Sequence, residues 1–335
     1  MNLNEKEYKM ISNYTGLALI IFIVILNVTT ILSSGVFSAF STFMPYNWSY
    51  SADSVVSMIG YLATFIAPAV ILRAILKKKG VLQPLNLEYN TPKSSFLLIP
   101  ATIAIVLVSA YINSLILAYF GTNEAYSELV GATSGPYEVY QILLLFLSGA
   151  LVPAVCEEFL FRGTILSNLL PFGRGVAIVG SSVLFGLMHQ NPYQLIYTTV
   201  AGLMLGYAYV ETKSIWIPTF IHFFNNAFSV SQQIIYANCR EGLAEAIVIV
   251  MDMFIFLSGI ACLIIYKRIA SKKKKKKYEN GSFSVILESS ESYEQKPVRR
   301  KIRCFFSAWM IVFVILALLS MLIVMGTLLI MQYSV

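Results

Sequence analysis

The chain has 335 residues, of which 57% are hydrophobic and only 12% are charged, and its mean hydropathy is +0.72. A soluble core cannot bury this much apolar surface, and the apolar runs reach the roughly 20 residues that a bilayer span needs. The composition therefore excludes an ordinary soluble domain and predicts an all-α, polytopic transmembrane helical bundle. The net charge of +7 does not indicate nucleic-acid binding, because the cations are spread along one predicted membrane face.

Apolar runs in chain order predict about eight to nine spans, of which the fifth and sixth are short. The first run follows a polar segment that carries Lys6 and Lys9, as a secretory signal peptide would. Its length and the lack of a small-x-small cleavage site favour a retained anchor. The runs are Thr15–Val36, Val55–Leu76, Ser95–Phe120, Val139–Phe161 (or to Leu170), Gly175–His189, Gln194–Val210, Ile215–Ile235, Leu243–Tyr266 and Cys304–Met331.

The cations between the runs predict the orientation. All 24 Lys and Arg residues except Arg240 lie in, or flank, one alternating set of segments, and the loops Gly35–Asp53 and Gly121–Glu138 contain none. This positive-inside pattern predicts a cytoplasmic N-terminus and an external C-terminus. The Lys-, Ile- and Tyr-rich composition fits a bacterial plasma membrane.

Composition also predicts four parts of the chain. They are N-terminal transmembrane helices over 1–138, a membrane core over 139–266, a basic polar cytoplasmic linker over 267–303 and a C-terminal span over 304–335. The linker is polar and charged from Ser271 to Arg303. Its run Lys272–Lys277 suits anionic lipid headgroups, although a plain stop-transfer anchor explains it as well. We expect the last span to dock peripherally and to contribute nothing to a functional cavity.

Three short motifs place ionisable side chains inside predicted spans, where they are costly. The first is Glu157-Glu158-x-x-x-Arg162, in which Glu158 and Arg162 share a helix face and Glu157 points about 100° away. The second runs from Phe185 to His189. The third places His222 and Asn226 on one helix face.

Each motif alone has a structural explanation. An ion pair near a helix end needs no catalytic role, and a single histidine in a membrane bundle is more often a hydrogen bonder between helices. Three motifs in order, using the only two histidines of the chain, favour a shared site.

The cysteines show no metal-ligand spacing, so we expect packing roles for Cys156, Cys239, Cys262 and Cys304.

The motif set EExxxR, FxxxH and HxxxN resembles the CPBP family, which includes type II CAAX prenyl proteases, bacteriocin-processing proteins and Abi proteins. The likeness covers roughly Val139–Ser229 and includes the segment Phe161–Leu166. It implies an intramembrane endopeptidase in which Glu157 and His189 activate a water molecule and His222 and Asn226 stabilise the oxyanion. Glu158 and Arg162 would form a structural pair.

This assignment is consistent with general chemistry. A carboxylate in an apolar cavity can accept a proton from water and pass it to the leaving amine. A neutral imidazole N–H and an amide NH₂ on one helix face would supply two oxyanion donors. Members of the family have been classed both as metallopeptidases and as metal-free glutamate peptidases. A zinc ion would take Glu157, His189 and His222 as ligands. We favour metal-free chemistry because Asn226 is an apt oxyanion donor.

Other functions stay open at this stage. The motifs of other intramembrane peptidases, HExxH, GxSG and GxGD, are absent. A transporter would also carry buried polar residues beside helix breaks at Pro153 and Pro218. A non-catalytic scaffold or bacteriocin-immunity factor could keep the same fold. Asp252, in span eight, fits either a hydrogen bonder that faces the bundle or part of an ion path. A CAAX-type protein and a secreted peptide precursor are both candidate substrates.

One distance constrains the fold. If the fourth span ended near Arg162, then His189, at the end of a 15-residue helix that rises about 22 Å, would lie too far from Glu157. Either the fourth helix continues to Leu170, or the fifth span is tilted and its loop is buried. We expect the first.

Overall fold

The computed structural model of the chain describes residues 3–43, 46–88, 91–119, 136–279 and 298–333. Among these residues there is no β-strand, which agrees with the predicted all-α bundle. The helices are α1 (Leu3–Phe43), α2 (Tyr46–Lys78), α3 (Leu98–Tyr119), α4 (Val139–Phe172), α5 (Arg174–Met188), α6 (Pro192–Thr212), α7 (Trp216–Asn238), α8 (Glu241–Glu279), α9 (Val298–Phe305) and α10 (Ala308–Tyr333).

The helices identify an integral membrane protein. Six of them, α1 to α4, α8 and α10, have the length and hydropathy of a membrane span, and α5 is apolar but shorter. The other two predicted spans correspond to α6 and α7, which are long enough to cross a bilayer but more polar. Helices α5, α6 and α7 all contribute residues to one internal cavity. Their polar residues are therefore placed where a bundle can hide them from lipid.

Helix α4 continues past Arg162 to Phe172, so the expected extension of the fourth span is confirmed. The continuation contains two wide π turns, Leu147–Leu151 and Phe161–Leu166, one on each side of the glutamate pair. Such turns often occur at functional sites. The helix ends at Gly173, whose φ of 124° suits glycine alone.

The final helix is packed more tightly than a peripheral attachment would be. Met310, Phe313 and Ala317 of α10 are buried in the same apolar cluster as residues of α1, α2, α4 and α5. At Gly16 a Cβ atom would lie 2.3 Å from the backbone nitrogen of Met310. Only a small residue permits so close a crossing of two helices. No residue of α9 or α10 is among the described residues that line the cavity.

The predicted linker is helical at both of its ends. Helix α8 continues through the lysine run to Glu279, because lysine is a good helix former once the chain has left the apolar region. Residues 280–297 lie outside the described residues. Helix α9 then pairs with α1, since Arg300 Nε lies 2.6 Å from Glu5 Oε1.

The turns that follow α2, α4 and α6 meet at one end of the bundle. The Ile215 amide donates to the Asn86 carbonyl at 3.0 Å, and the Gln83 amide donates to Asn168 Oδ1 at 2.8 Å. We call this the basic end because of its cations, which are Lys77, Lys78, Lys79, Arg174 and Lys213.

The opposite end contains the start of α4 and the end of α7. There the Tyr137 amide donates to Asn238 Oδ1 at 3.2 Å, and Asn238 Nδ2 donates to the Tyr137 carbonyl at 3.1 Å. The turn 189–191, between α5 and α6, also lies at this end. Arg240 is the one Lys or Arg in the short turns here, at 189–191 and 239–240.

Candidate active site

One cavity of about 390 Å³ is lined by residues from helices α2 to α7. Its lining includes Glu157, His189, His222 and Asn226, so the four side chains predicted to act together face the same space. Glu158 and Arg162 lie beside the cavity and are 0% and 1% exposed. The three motifs therefore meet in three dimensions, as the sequence predicts.

Among the described residues, a hydrogen-bond donor contacts one of the two carboxylate oxygens of Glu157 and not the other. The Tyr61 hydroxyl on α2 donates to Glu157 Oε1. The other oxygen, Oε2, is buried without a hydrogen-bond partner and lies 3.8 Å from His222 Nε2. A buried carboxylate oxygen without a donor is costly. This oxygen therefore keeps hydrogen-bonding capacity that the described residues do not use, in a residue that lines the cavity.

Tyr61 was not predicted as a site residue. It lies on α2, 96 residues before its partner, and it belongs to none of the three motifs. A tyrosine inside an apolar span is a weak signal, because its hydroxyl needs some partner when it is buried. Nothing in the sequence identifies that partner as Glu157.

Glu158 is the centre of a buried ion cluster. Its Oε1 accepts from Arg162 Nη1 at 2.7 Å and from His222 Nδ1 at 2.9 Å. Arg162 Nη2 also donates to the Gly202 carbonyl at 3.2 Å. The predicted contact between Glu158 and Arg162 is present, and the contact with His222 is an addition that spacing alone did not indicate. The cluster ties α4, α6 and α7 together.

The Glu158 contact also determines the proton on His222 Nδ1. Because a carboxylate oxygen accepts, Nδ1 must donate to it. A neutral ring would then carry a lone pair, not a proton, on Nε2. If Nε2 is to donate to an oxyanion, as expected from the sequence, the ring must carry both protons and be charged, which differs from the neutral ring of that expectation.

His189 follows the last residue of α5. Its Nδ1 lies 2.8 Å from the Phe185 carbonyl, which can only accept, so Nδ1 carries a proton and the neutral ring has its lone pair on Nε2. The next residue, Gln190, adopts a left-handed φ of 51° and turns the chain toward α6. The end of the helix therefore fixes both the position and the tautomer of this histidine.

Phe185 is the packing centre of the site. Its ring meets the rings of His189 and His222 edge-on, with centroids 5.2 and 5.9 Å away. The Arg162 guanidinium lies over the same ring, 4.6 Å from its centroid, as a cation–π contact requires. The phenylalanine of the second motif thus sets the spacing between both histidines and the ion cluster.

Asn226 lies one helical turn beyond His222. Its Oδ1 accepts from Asn225 Nδ2 at 3.3 Å, which leaves the amide nitrogen of Asn226 as the donor end of the side chain. An amide nitrogen in a cavity beside a histidine is an arrangement able to bind a developing negative charge.

The suggested zinc ligands do not form a metal site. Among the residues that the structure describes, no three His, Cys, Asp or Glu side chains are grouped so as to hold a metal ion. Glu157 Oε1 is already engaged by Tyr61. A zinc ion bound to Glu157, His189 and His222 would need these side chains to rearrange.

The part of the chain that holds the three motifs is similar to a known protein family. Residues 139–228 match the family model "Type II CAAX prenyl endopeptidase Rce1-like". This stretch, which we call the Rce1-like domain for its similarity to that model, contains all three motifs, whereas Tyr61 lies outside it.

Two bacterial proteins are similar over a longer stretch than the Rce1-like domain. YdiL of Bacillus subtilis (strain 168), a proposed membrane peptidase, is 29% identical over 192 residues, which cover 55% of this chain and 73% of YdiL. MroQ of Staphylococcus aureus (strain USA300), a membrane-embedded CAAX protease, is 23% identical over 217 residues, 62% of this chain and 87% of MroQ. No solved structure matches the chain significantly.

Asp252 lies in a separate polar cluster. Tyr111 donates to its Oδ2 and Gln232 Nε2 donates to its Oδ1, both at 2.7 Å. The cluster joins α3, α7 and α8, and Asp252 does not line the cavity. It is a hydrogen bonder that faces the bundle, one of the two roles expected.

All four cysteines are free.

Proposed function

We propose that the chain is an intramembrane endopeptidase that hydrolyses a peptide bond of a membrane-associated protein or peptide by means of a water molecule activated by Glu157 and His189. One observation carries the proposal. Within an Rce1-like domain, Glu157 has one oxygen without a hydrogen-bond partner and lines a cavity together with His189, His222 and Asn226.

The water would lie between Glu157 Oε2 and His189 Nε2, both of which accept hydrogen bonds. Glu157 takes one proton as the water oxygen attacks the carbonyl carbon, and it later gives that proton to the leaving amine. Such general acid–base catalysis typically contributes about 10²- to 10⁴-fold in rate. Tyr61 keeps the carboxylate turned so that the same oxygen faces the water.

The oxyanion would be held by His222 Nε2–H and by the amide nitrogen of Asn226. A doubly protonated His222 balances the charge of the cluster, because Glu157 and Glu158 carry two negative charges and Arg162 only one positive charge. Donors that are already oriented toward the oxyanion stabilise a developing charge at no reorganisation cost. Glu158 and Arg162 would hold His222 in place and take no part in proton transfer.

We also propose that the reaction needs no metal ion and that the N-terminus is cytoplasmic and the C-terminus external, in a bacterial plasma membrane. The positive-inside rule supports this orientation, since the basic end groups the turns that carry the cations. The helical lysine run Lys272–Lys277 would contact anionic lipid headgroups where α8 leaves the bilayer.

Cleavage by the purified full chain in proteoliposomes tests the function. Two reporter substrates are offered, a prenylated CAAX peptide and a single-span peptide precursor. We expect cleavage of at least one reporter, insensitivity to a chelator, and a loss of about 10² or more with Glu157→Gln. Glu245→Gln, at an exposed position of α8, is the matched control. Full activity of Glu157→Gln would contradict the proposal.

A further inference from the structure

The cavity is lined along α7 by a row of polar residues that continues away from the active site. His222, Asn226, Ser229 and Gln233 follow one another at spacings of four, three and four residues and so share one helix face, and all four line the cavity. The row rises by about 16 Å from His222 to Gln233. We call it the α7 polar row.

Exposure increases steadily along this row. His222 is 6% exposed, Asn226 is half-buried, and Ser229 and Gln233 are exposed. At the other end of the cavity the buried side chains of Ile221 and Leu205 close it, with Glu158 and Arg162 buried beside them. Within the described residues, the cavity is therefore closed toward the basic end and open at Ser229 and Gln233.

The open side lies toward the end of the bundle opposite the basic end. Gln233 Nε2 donates to the Tyr137 hydroxyl at 2.8 Å, and Tyr137 precedes the first residue of α4. On the opposite wall, Gln194 lies in the first turn of α6, directly after the turn 189–191. With the basic end in the cytoplasm, this opening faces the extracytoplasmic side.

The lining also restricts what can occupy the cavity. Among the described lining residues there is no lysine or arginine, and the one acidic side chain is Glu157. The one charge within reach of a free C-terminal carboxylate near the scissile bond, as in a CAAX sequence, would be that of His222, which is already paired with Glu158 and assigned to the oxyanion. Such a carboxylate would therefore be costly to bury. Side-chain amides of Gln194, Asn225, Asn226 and Gln233 offer both donors and acceptors, which an extended peptide backbone needs.

From these observations we infer that the substrate of the proposed peptidase is an uncharged, internal segment of polypeptide that reaches the active site from the extracytoplasmic face along the α7 polar row. The inference rests on the proposed function, because it takes the polypeptide in the cavity to be the substrate of a peptidase. The position of the opening rests on exposure and lining, and its assignment to the extracytoplasmic face rests on the proposed orientation.

Cysteine labelling of the full chain in intact cells tests the route without a substrate. Gln233→Cys, Asn226→Cys and Trp216→Cys are made in a background with Cys239→Ser and Cys262→Ser, since Cys156 and Cys304 are buried. With a membrane-impermeant maleimide added outside, we expect labelling at 233, slower labelling at 226, and labelling at 216 only after the cells are permeabilised. Labelling at 226 only from the cytoplasmic side would overturn the inference.

A plug at the opening provides a second measurement of the route. Gln233→Trp should slow the labelling of Asn226→Cys by a small water-soluble thiol reagent. Tyr236→Trp, at an exposed α7 position outside the cavity lining, should leave the labelling rate unchanged. Equal rates in the two plugged variants would contradict access along the α7 polar row.

The substrate class is tested with single-span reporters that carry the same short uncharged segment on either the outer or the inner side of the anchor. We expect cleavage of the outer segment alone, lost with Glu157→Gln, and less cleavage when a lysine or a free C-terminus is placed next to the scissile bond. Cleavage of the inner segment alone would overturn the inference and leave the peptidase assignment intact. Cleavage of neither reporter, with Gln233→Cys labelled from outside, would count against the peptidase and its substrate class while the access route stands.

Discussion

Two acidic sites inside the bundle differ in how their carboxylates are satisfied. Asp252 has a neutral donor on each oxygen, Tyr111 on one and Gln232 on the other, and it joins three helices. Glu157 has a donor on one oxygen only, its second oxygen has no hydrogen-bond partner, and the residue lines a cavity. The comparison teaches that a buried acid in a membrane bundle is a candidate for catalysis when part of its hydrogen-bonding capacity is left unused beside an open space.

The largest expected effect comes from breaking the buried ion cluster centred on Glu158. Glu158→Ala removes the partner of Arg162 and the acceptor of His222 Nδ1, and leaves a buried arginine without its charge partner. We expect a loss of about 3–5 kcal/mol in folding stability, measured by thermal unfolding in detergent. Glu245→Ala, at an exposed position, is the control. Equal stability of Glu158→Ala and the unmodified chain would show that the cluster is not structural.

Removing an oxyanion donor should leave the fold intact and slow the reaction. Asn226→Ala is expected to lower kcat by about 10²- to 10³-fold, as loss of one such donor does elsewhere. Steady-state cleavage of a single-span reporter measures it, and Asn225→Ala is the neighbouring comparison, with a smaller expected effect. A change in KM with kcat unaltered would assign Asn226 to substrate binding instead.

The two tyrosines that donate to the two acids provide a matched pair. Tyr61→Phe removes the donor to Glu157, and since a hydrogen bond to a charged group is worth about 1.5–3 kcal/mol, we expect roughly a tenfold or greater loss in kcat with little change in KM. Tyr111→Phe removes the donor to Asp252 and should leave kcat near that of the unmodified chain. Equal losses in both variants would remove the distinction between the two sites.

The smallest effect on turnover is expected from deleting the last helix. A chain that ends after Lys272 should still cleave its substrate, because none of the cavity-lining residues that the structure describes belongs to α10. It should unfold at a lower temperature, since Met310 and Phe313 no longer cover α1. A stable truncated protein without activity would place α10 in the catalytic or gating apparatus.

The sequence predicts those parts of the site that spacing determines. Glu158 and Arg162 four residues apart, and His222 and Asn226 four residues apart, share helix faces in any regular helix. Tyr61 could not be predicted as a site residue because its contact with Glu157 depends on how α2 packs against α4. The π turns of α4 escaped because the periodicity of apolar residues does not distinguish a wide turn from a normal one. The tight seating of α10 depends on Gly16, a residue that composition does not single out.

The most direct measurement compares Glu157→Gln with Asp252→Asn in the same proteoliposome cleavage assay. Both substitutions replace a buried carboxylate by an amide of similar shape, so differences in packing are small. We predict that Glu157→Gln lowers kcat by about 10²-fold or more, while the kcat of Asp252→Asn stays close to that of the unmodified chain. Retained activity in Glu157→Gln, or equal losses in both variants, would contradict the claim that the unused oxygen of Glu157 performs the chemistry.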